Sequence, residues 1–148
     1  MSLGAPELEP GERVLVRAPA SFRGATAASV RSTFAMGSAR QRNQAFYAWL
    51  MQAEAAGFPT TGPEMWLGLT EVRLIVWGTT FVLSRPSKIK GAIPIAQVAD
   101  VAIARHGVAT GLAIALSSGQ YVEVEAMRGR RLRRFGETLR TMIDGARP

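Results

Sequence analysis

Apolar and polar residues alternate in short runs over the second half of the chain, the period-two signature of half-buried strands. Leu67, Leu69, Val72, Leu74 and Val76 fall on one face if Thr70-Glu71 makes a tight turn, so the pattern predicts a hairpin. Gly78-Thr79-Thr80 reads as the next reversal, leading into Phe81-Val82-Leu83, and Arg85 to Lys88 as a loop. Ile89 to Ile95 is a short strand, with Pro94 expected at an edge or a strand end because proline cannot donate to a ladder. Val98, Val101 and Ile103 predict a further strand, bulged near Asp100, before a turn at Arg105-His106-Gly107. Leu112, Ile114 and Leu116 alternate strictly with Gly111, Ala113 and Ala115. Ser118-Gly119 then predicts a hairpin into Tyr121 to Glu125, where Val122 and Val124 point one way and Tyr121, Glu123 and Glu125 the other.

Two segments carry a helical period instead. From Ser38 to Ala56, the residues Phe46, Trp49, Leu50 and Ala53 fall at i, i+3, i+4 and i+7, one apolar face. Ser38 and Gln41 have capping-box spacing, Gly57 stands where a left-handed C-cap belongs, and Phe58-Pro59 stops the helix. From about Arg128 to Asp144 a second helix places Leu132, Phe135, Leu139 and Met142 on one stripe, with Ile143 beside it. Ahead of both, Glu12 to Arg17 alternates and ends near Pro19, which predicts a first strand. Met1 to Gly11 reads as a flexible terminus. Ser21 to Gly37, rich in small residues, reads as a loop with a short strand around Ser29 to Phe34, and Thr60 to Glu64 as a Pro/Gly connector. The organisation expected is one domain over residues 12–148, with an insert over 21–64 that carries the helix 38–56.

In order and spacing, these motifs resemble the bacterial pleckstrin-homology-like (PH-like) family, its actinobacterial sequences in particular. The residues that carry the resemblance are Gly68-Leu69-Thr70 with Arg73-Leu74-Ile75-Val76, Ile93-Pro94-Ile95 with Val98, Gly111-Leu112-Ala113-Ile114 with Ser118-Gly119, and the terminal helix. The resemblance covers roughly Met65 to Gly145, with Glu12 to Arg17 as the first strand. It implies a mainly β fold: a small barrel of two antiparallel sheets capped by a C-terminal helix, here with an inserted helix between the first and second strands. It also implies binding and oligomeric assembly through protein contacts, without enzymatic activity. Eukaryotic relatives hold phosphoinositides in a basic first hairpin. The insert interrupts that hairpin here, so the resemblance assigns no lipid-binding residues.

Composition narrows the chemistry. The 148 residues contain no cysteine, which excludes disulfides, thiolate metal sites and a cysteine nucleophile. No basic region followed by an apolar run opens the chain, and no run approaches the roughly 18 apolar residues of a membrane span. The expectation is a cytoplasmic protein, peripheral at a membrane if its charge is used there. The formal charge is +7, and arginine supplies 16 of the 18 basic residues. A GC-rich genome is one explanation of that excess. A phosphate-binding surface is the other, since arginine makes bidentate contacts that lysine cannot.

Catalysis finds little support. His106 is the single histidine, in an Arg-His-Gly turn without a cysteine to activate, and one imidazole cannot build a histidine metal centre. Glu123 and Glu125 are the close acidic pair on one strand face. They suit a cation or acid/base chemistry only if arginines do not already pair with them. Phosphate-loop and dinucleotide fingerprints are absent, as are nucleic-acid-binding motifs, so no cofactor, metal or nucleic-acid partner is expected. Trp49, Trp66 and Trp77 read as core or barrel-mouth residues. The anion-site candidates are Arg128, Arg130, Arg131, Arg133 and Arg134 at the start of the terminal helix, with Arg40 and Arg42 opening the other. Arginines at a positive helix terminus cost about 0.3–1 kcal/mol each unless an anion offsets them. Glu123 and Glu125 are the internal candidates for that role, and a phosphate or acidic partner the external one.

Overall fold

A computed structural model of the chain describes residues 8–22, 38–59, 62–79 and 86–146. Among these residues, seven strands and two long helices follow one another: β1 (Val16–Phe22), α1 (Ser38–Ala56), β2 (Glu64–Leu69), β3 (Arg73–Thr79), β4 (Pro86–Pro94), β5 (Val98–His106), β6 (Ala109–Leu116), β7 (Tyr121–Met127) and α2 (Arg130–Ala146). A 3-10 turn, Ile95–Gln97, joins β4 to β5. All pairings are antiparallel, in the order β4-β3-β2-β1-β7-β6-β5. The fold is mainly β with an inserted helix and a C-terminal helix, as the alternation and the helical stripes predict.

The expected barrel of two sheets is not what the ladders form. Among the described residues they make one seven-stranded sheet that does not close, with β4 and β5 as its edges. Yet these two edges are consecutive in sequence and separated by three residues, which span at most about 10 Å. The sheet therefore curls until its edges come near at one corner. Pro94 has no donor for a continuing ladder, and the Ile95 N–H is drawn to the Val72 carbonyl at 2.9 Å, so β4 ends there.

The sheet has a narrow seam. β1 pairs with β2 over six residues but with β7 at only two, Ser21 opposite Glu125 and Phe22 opposite Val124. The two half-sheets diverge beyond those pairs, and α2 lies against β1 on one side and β5 and β6 on the other. Leu132, Phe135 and Leu139 of α2 are fully buried, packed with Leu67, Leu69, Leu74, Val76, Leu112, Ile114, Val122 and Val124. Ile143 is buried on that stripe and Met142 only partly, the reverse of the order expected, because the stripe turns with the helix. Gly136 is buried there too; a β-carbon on it would stand 2.6 Å from Leu112 Cδ1.

Several boundaries differ from the sequence expectation. The first strand runs Val16–Phe22 rather than Glu12 to Arg17, and it passes through Pro19. The Phe22 N–H donates to the Pro63 carbonyl, so by alternation the even residues of β1 turn their N–H groups to β2. Pro19, an odd position, faces away from β2 where β7 does not reach, and its missing donor costs no bond. Val72 is exposed instead of facing the core, because the β2–β3 turn takes Thr70 to Val72: the Val72 and Arg73 N–H groups both donate to Thr70 Oγ1. Pro86 to Lys88 belong to β4 rather than to a loop. β5 continues through His106, so the turn is at Gly107, with φ of 62°. The bulge near Asp100 is present as a register shift between Val98 and Asp100.

α1 ends as its sequence predicts. Gly57 has φ of 77°, its N–H reaches Glu54 O, and the Phe58 N–H reaches Ala53 O, the two bonds of a Schellman cap. Trp49 and Ala53 are buried, with Phe46 and Leu50 packed on the core beside them. Residues 1–7, the short strand expected at 29–34, the Phe81-Val82-Leu83 strand and the side chains of the Ser38/Gln41 capping box lie outside the described residues.

Candidate anion-binding groove

The approach to α2 fixes where its arginines go. Arg128 stands outside the helix with φ of 53°, unusual for a side-chain-bearing residue, and its N–H donates to Val108 O at 3.1 Å. Gly129 follows because a β-carbon there would meet Thr110 Cβ at 2.7 Å. This tight reversal sets α2 directly on β6. With Leu132, Phe135 and Leu139 turned inward, Arg131, Arg134 and Thr138 at i, i+3 and i+7 form a stripe along one flank.

That flank meets the outer side of β1 and β2. In β1, Ala18 and Ala20 are buried in the core while Arg17 is exposed on the other face. In β2, Met65, Leu67 and Leu69 are buried in the core, and Trp66 stands on the opposite face, half-buried and paired across the strands with Trp77. A groove of about 550 Å³ lies between them. It is lined by Leu15, Val16 and Arg17 at the start of β1, Trp66 of β2, and Arg131, Arg134 and Thr138 of α2. Arg17, Arg131 and Arg134 make no ion pair among the described residues; the ion pairs there are Arg73 with Glu12 and Arg140 with Asp100.

Of the arginines singled out by sequence, the structure brings Arg131 and Arg134 into the groove. Arg128, Arg130 and Arg133 are exposed nearby and do not line it. Arg40 and Arg42 fall in the first turns of α1, and their side chains lie outside the described residues. α1 packs on β7, where Trp49 Nε1 donates to Glu123 O at 2.6 Å and Gln52 Nε2 to Tyr121 O at 3.4 Å. α2 packs on β1, β2, β5 and β6 instead.

The acidic pair does not stand open in solvent. Glu125 is 3% exposed because it sits opposite both Gly111 and Ser21, where β1 joins β7 in the middle of the sheet. Glu123 is half-buried, and both glutamates are already engaged within the chain. The side chain of His106 lies outside the described residues, and among those described no group of three acidic or histidine residues is placed to hold a metal. No described helix is long and apolar enough to cross a membrane.

A second polar cluster is structural. Arg73 grips the Glu12 carboxylate with Nε at 2.9 Å and Nη2 at 2.8 Å, while Thr70 Oγ1 donates to Oε2 at 2.8 Å and the Glu9 N–H to Oε1 at 2.9 Å. The hydrogen bond from Arg73, helped by those from Glu9 and Thr70, lowers the Glu12 pKa to about 2, against the opposing effect of burial. This clamp ties the β2–β3 turn to the segment before β1.

Sequence reasoning missed Arg17 and Trp66 as partners of the α2 arginines. A signal was present in Val16-Arg17-Ala18-Pro19-Ala20, where small residues mark the inward face and leave Arg17 outward. Its distance from residue 131 hid the pairing. A scan against protein-family models finds no match to this chain, and a search of the curated proteins finds none either.

Proposed function

We propose that the protein is a non-enzymatic binding module of the bacterial PH-like type, recruited to anionic phosphate groups such as membrane headgroups. One observation carries this reading. Arg128, Arg130, Arg131, Arg133 and Arg134 are all exposed within seven residues, and none is ion-paired among the described residues. They crowd the end of α2 where unsatisfied N–H groups already make the field positive. Glu123 and Glu125, the internal carboxylates that offered themselves for this charge, are engaged or buried elsewhere. The strand order and the C-terminal helix support the PH-like part of the reading.

The test is co-sedimentation with anionic and neutral vesicles at low and physiological salt. Binding to anionic vesicles alone, weakened by salt and by Arg130→Glu/Arg131→Glu, is the expected result. A second reading, self-association through protein contacts, draws on the open edges. β5 offers a nine-residue edge, whereas β4 is guarded by Pro86, Lys88, Lys90 and Pro94. Light scattering separates the two: a salt-insensitive oligomer with no vesicle affinity overturns the anionic reading.

A further inference from the structure

We propose that the groove between β1, β2 and the flank of α2 is a binding site for a phosphate-bearing ligand, gripped by Arg17, Arg131 and Arg134 against the ring of Trp66. The inference rests on the anion-directed reading above and narrows it from a charged surface to one pocket, adding Arg17 and Trp66, which belong to no basic run in the sequence.

Three arginines from two separate elements line one space, and no described carboxylate pairs with any of them. Like charges brought together repel, and folding alone gives no reason to assemble them; a bound anion supplies one. Two other cavities lack this imbalance. The one of about 330 Å³ beside the Glu12 clamp sets Arg13 among Glu9, Glu12 and Glu71. The one of about 440 Å³ near β4 sets Lys90 against Glu64.

The charge count favours phosphate over carboxylate. A carboxylate offers two oxygens to a single guanidinium fork, whereas a phosphate ester presents up to three terminal oxygens and a double charge, enough to engage three forks from different sides. The volume, about 550 Å³, falls in the range of small-molecule pockets, roughly 300–1,000 Å³, and exceeds what an inorganic ion fills. Trp66 and Leu15 provide an apolar wall for the remainder of the ligand. A lipid headgroup and a free phosphorylated metabolite share this chemistry.

The test uses the full chain with two probes: inorganic pyrophosphate, and phosphatidylcholine vesicles doped with phosphatidic acid, whose headgroup is a phosphate monoester. Pyrophosphate is expected to bind saturably by calorimetry and to change tryptophan emission, the emission change disappearing in Trp66→Phe. Arg17→Gln and Arg134→Gln each weaken binding about ten-fold, the size of one charge-assisted contact. Arg105→Gln, exposed on β5, leaves it unchanged. Because Arg17 and Arg134 are exposed, these substitutions leave the core intact. Vesicle binding that pyrophosphate displaces marks a headgroup ligand, and pyrophosphate binding without vesicle binding marks a free phosphate ligand; both support the site. Vesicle binding abolished by Arg130→Glu/Arg131→Glu, untouched by Arg17→Gln and not displaced by pyrophosphate overturns the groove while the surface reading stands. Binding of neither probe overturns both.

Discussion

Protonating Glu12 should cost this fold a definite part of its stability. Its pKa lies at about 2 in the folded protein against 4.5 when unperturbed, so the folded state resists taking up a proton that the unfolded chain accepts. The contribution is complete above about pH 4.5 and drains away as pH falls toward 2. At about 1.4 kcal/mol per pKa unit, the full shift would correspond to about 3 kcal/mol. The Arg73 side chain keeps 21% of its surface in water, and that screening reduces the expected value to about 2 kcal/mol. Urea denaturation of the wild type and of Glu12→Gln from pH 7 down to pH 2.5 measures it. The two should differ by about 2 kcal/mol at pH 7, and the gap should shrink steadily below pH 4.5. A gap that stays constant to pH 3, or that is absent at pH 7, would show that the Arg73–Glu12–Thr70 clamp does not tie the turn to the chain before β1.

Three further outcomes test the packing. Gly68→Ala puts a β-carbon 2.4 Å from the Trp77 ring, whose rigid body cannot yield, so a loss of about 2–3 kcal/mol in chemical denaturation is expected despite alanine's better strand propensity. Trp77 Nε1 is buried without a hydrogen-bond partner among the described residues, whereas Trp49 Nε1 is bonded to Glu123 O. Trp77→Phe should therefore stay within about 1 kcal/mol of wild type while Trp49→Phe loses about 1–2, and equal losses would contradict the assignment. Leu139→Ala, at a fully buried position of α2, should cost about 2–5 kcal/mol, against under about 0.5 for the exposed Arg133→Ala, both read from thermal unfolding.

Much of this arrangement is legible in the chain, and the parts that are not share a cause. The β6–β7 hairpin and the bulge at Asp100 follow from local alternation and turn residues, and the end of α1 from Gly57. Each rests on residues within a few positions of one another. Local alternation misplaces Val72 and Pro19 because their roles depend on longer-range contacts: Thr70 Oγ1 captures two backbone N–H groups and moves the turn, and Pro19 is tolerated only where β7 falls short. Glu125 shows the same limit, since alternation gives it a face but cannot show that the sheet is deepest there. The groove joins residue 17 to residues 131 and 134, a meeting that only the seam between β1 and β7 creates.

That seam also bears on how the chain assembles. From β2 to β4, and again from β5 to β7, each strand pairs with its sequence neighbour, so both halves can form from local contacts. β1 must wait for β7, about a hundred residues later, and has only two residue pairs waiting for it there. During synthesis the first half can therefore gather while its exposed flank stays open until α2 leaves the ribosome. A chain cut before residue 130 would hold both hairpin sets yet lack the element that draws them together, leaving bare the apolar face on which α2 packs.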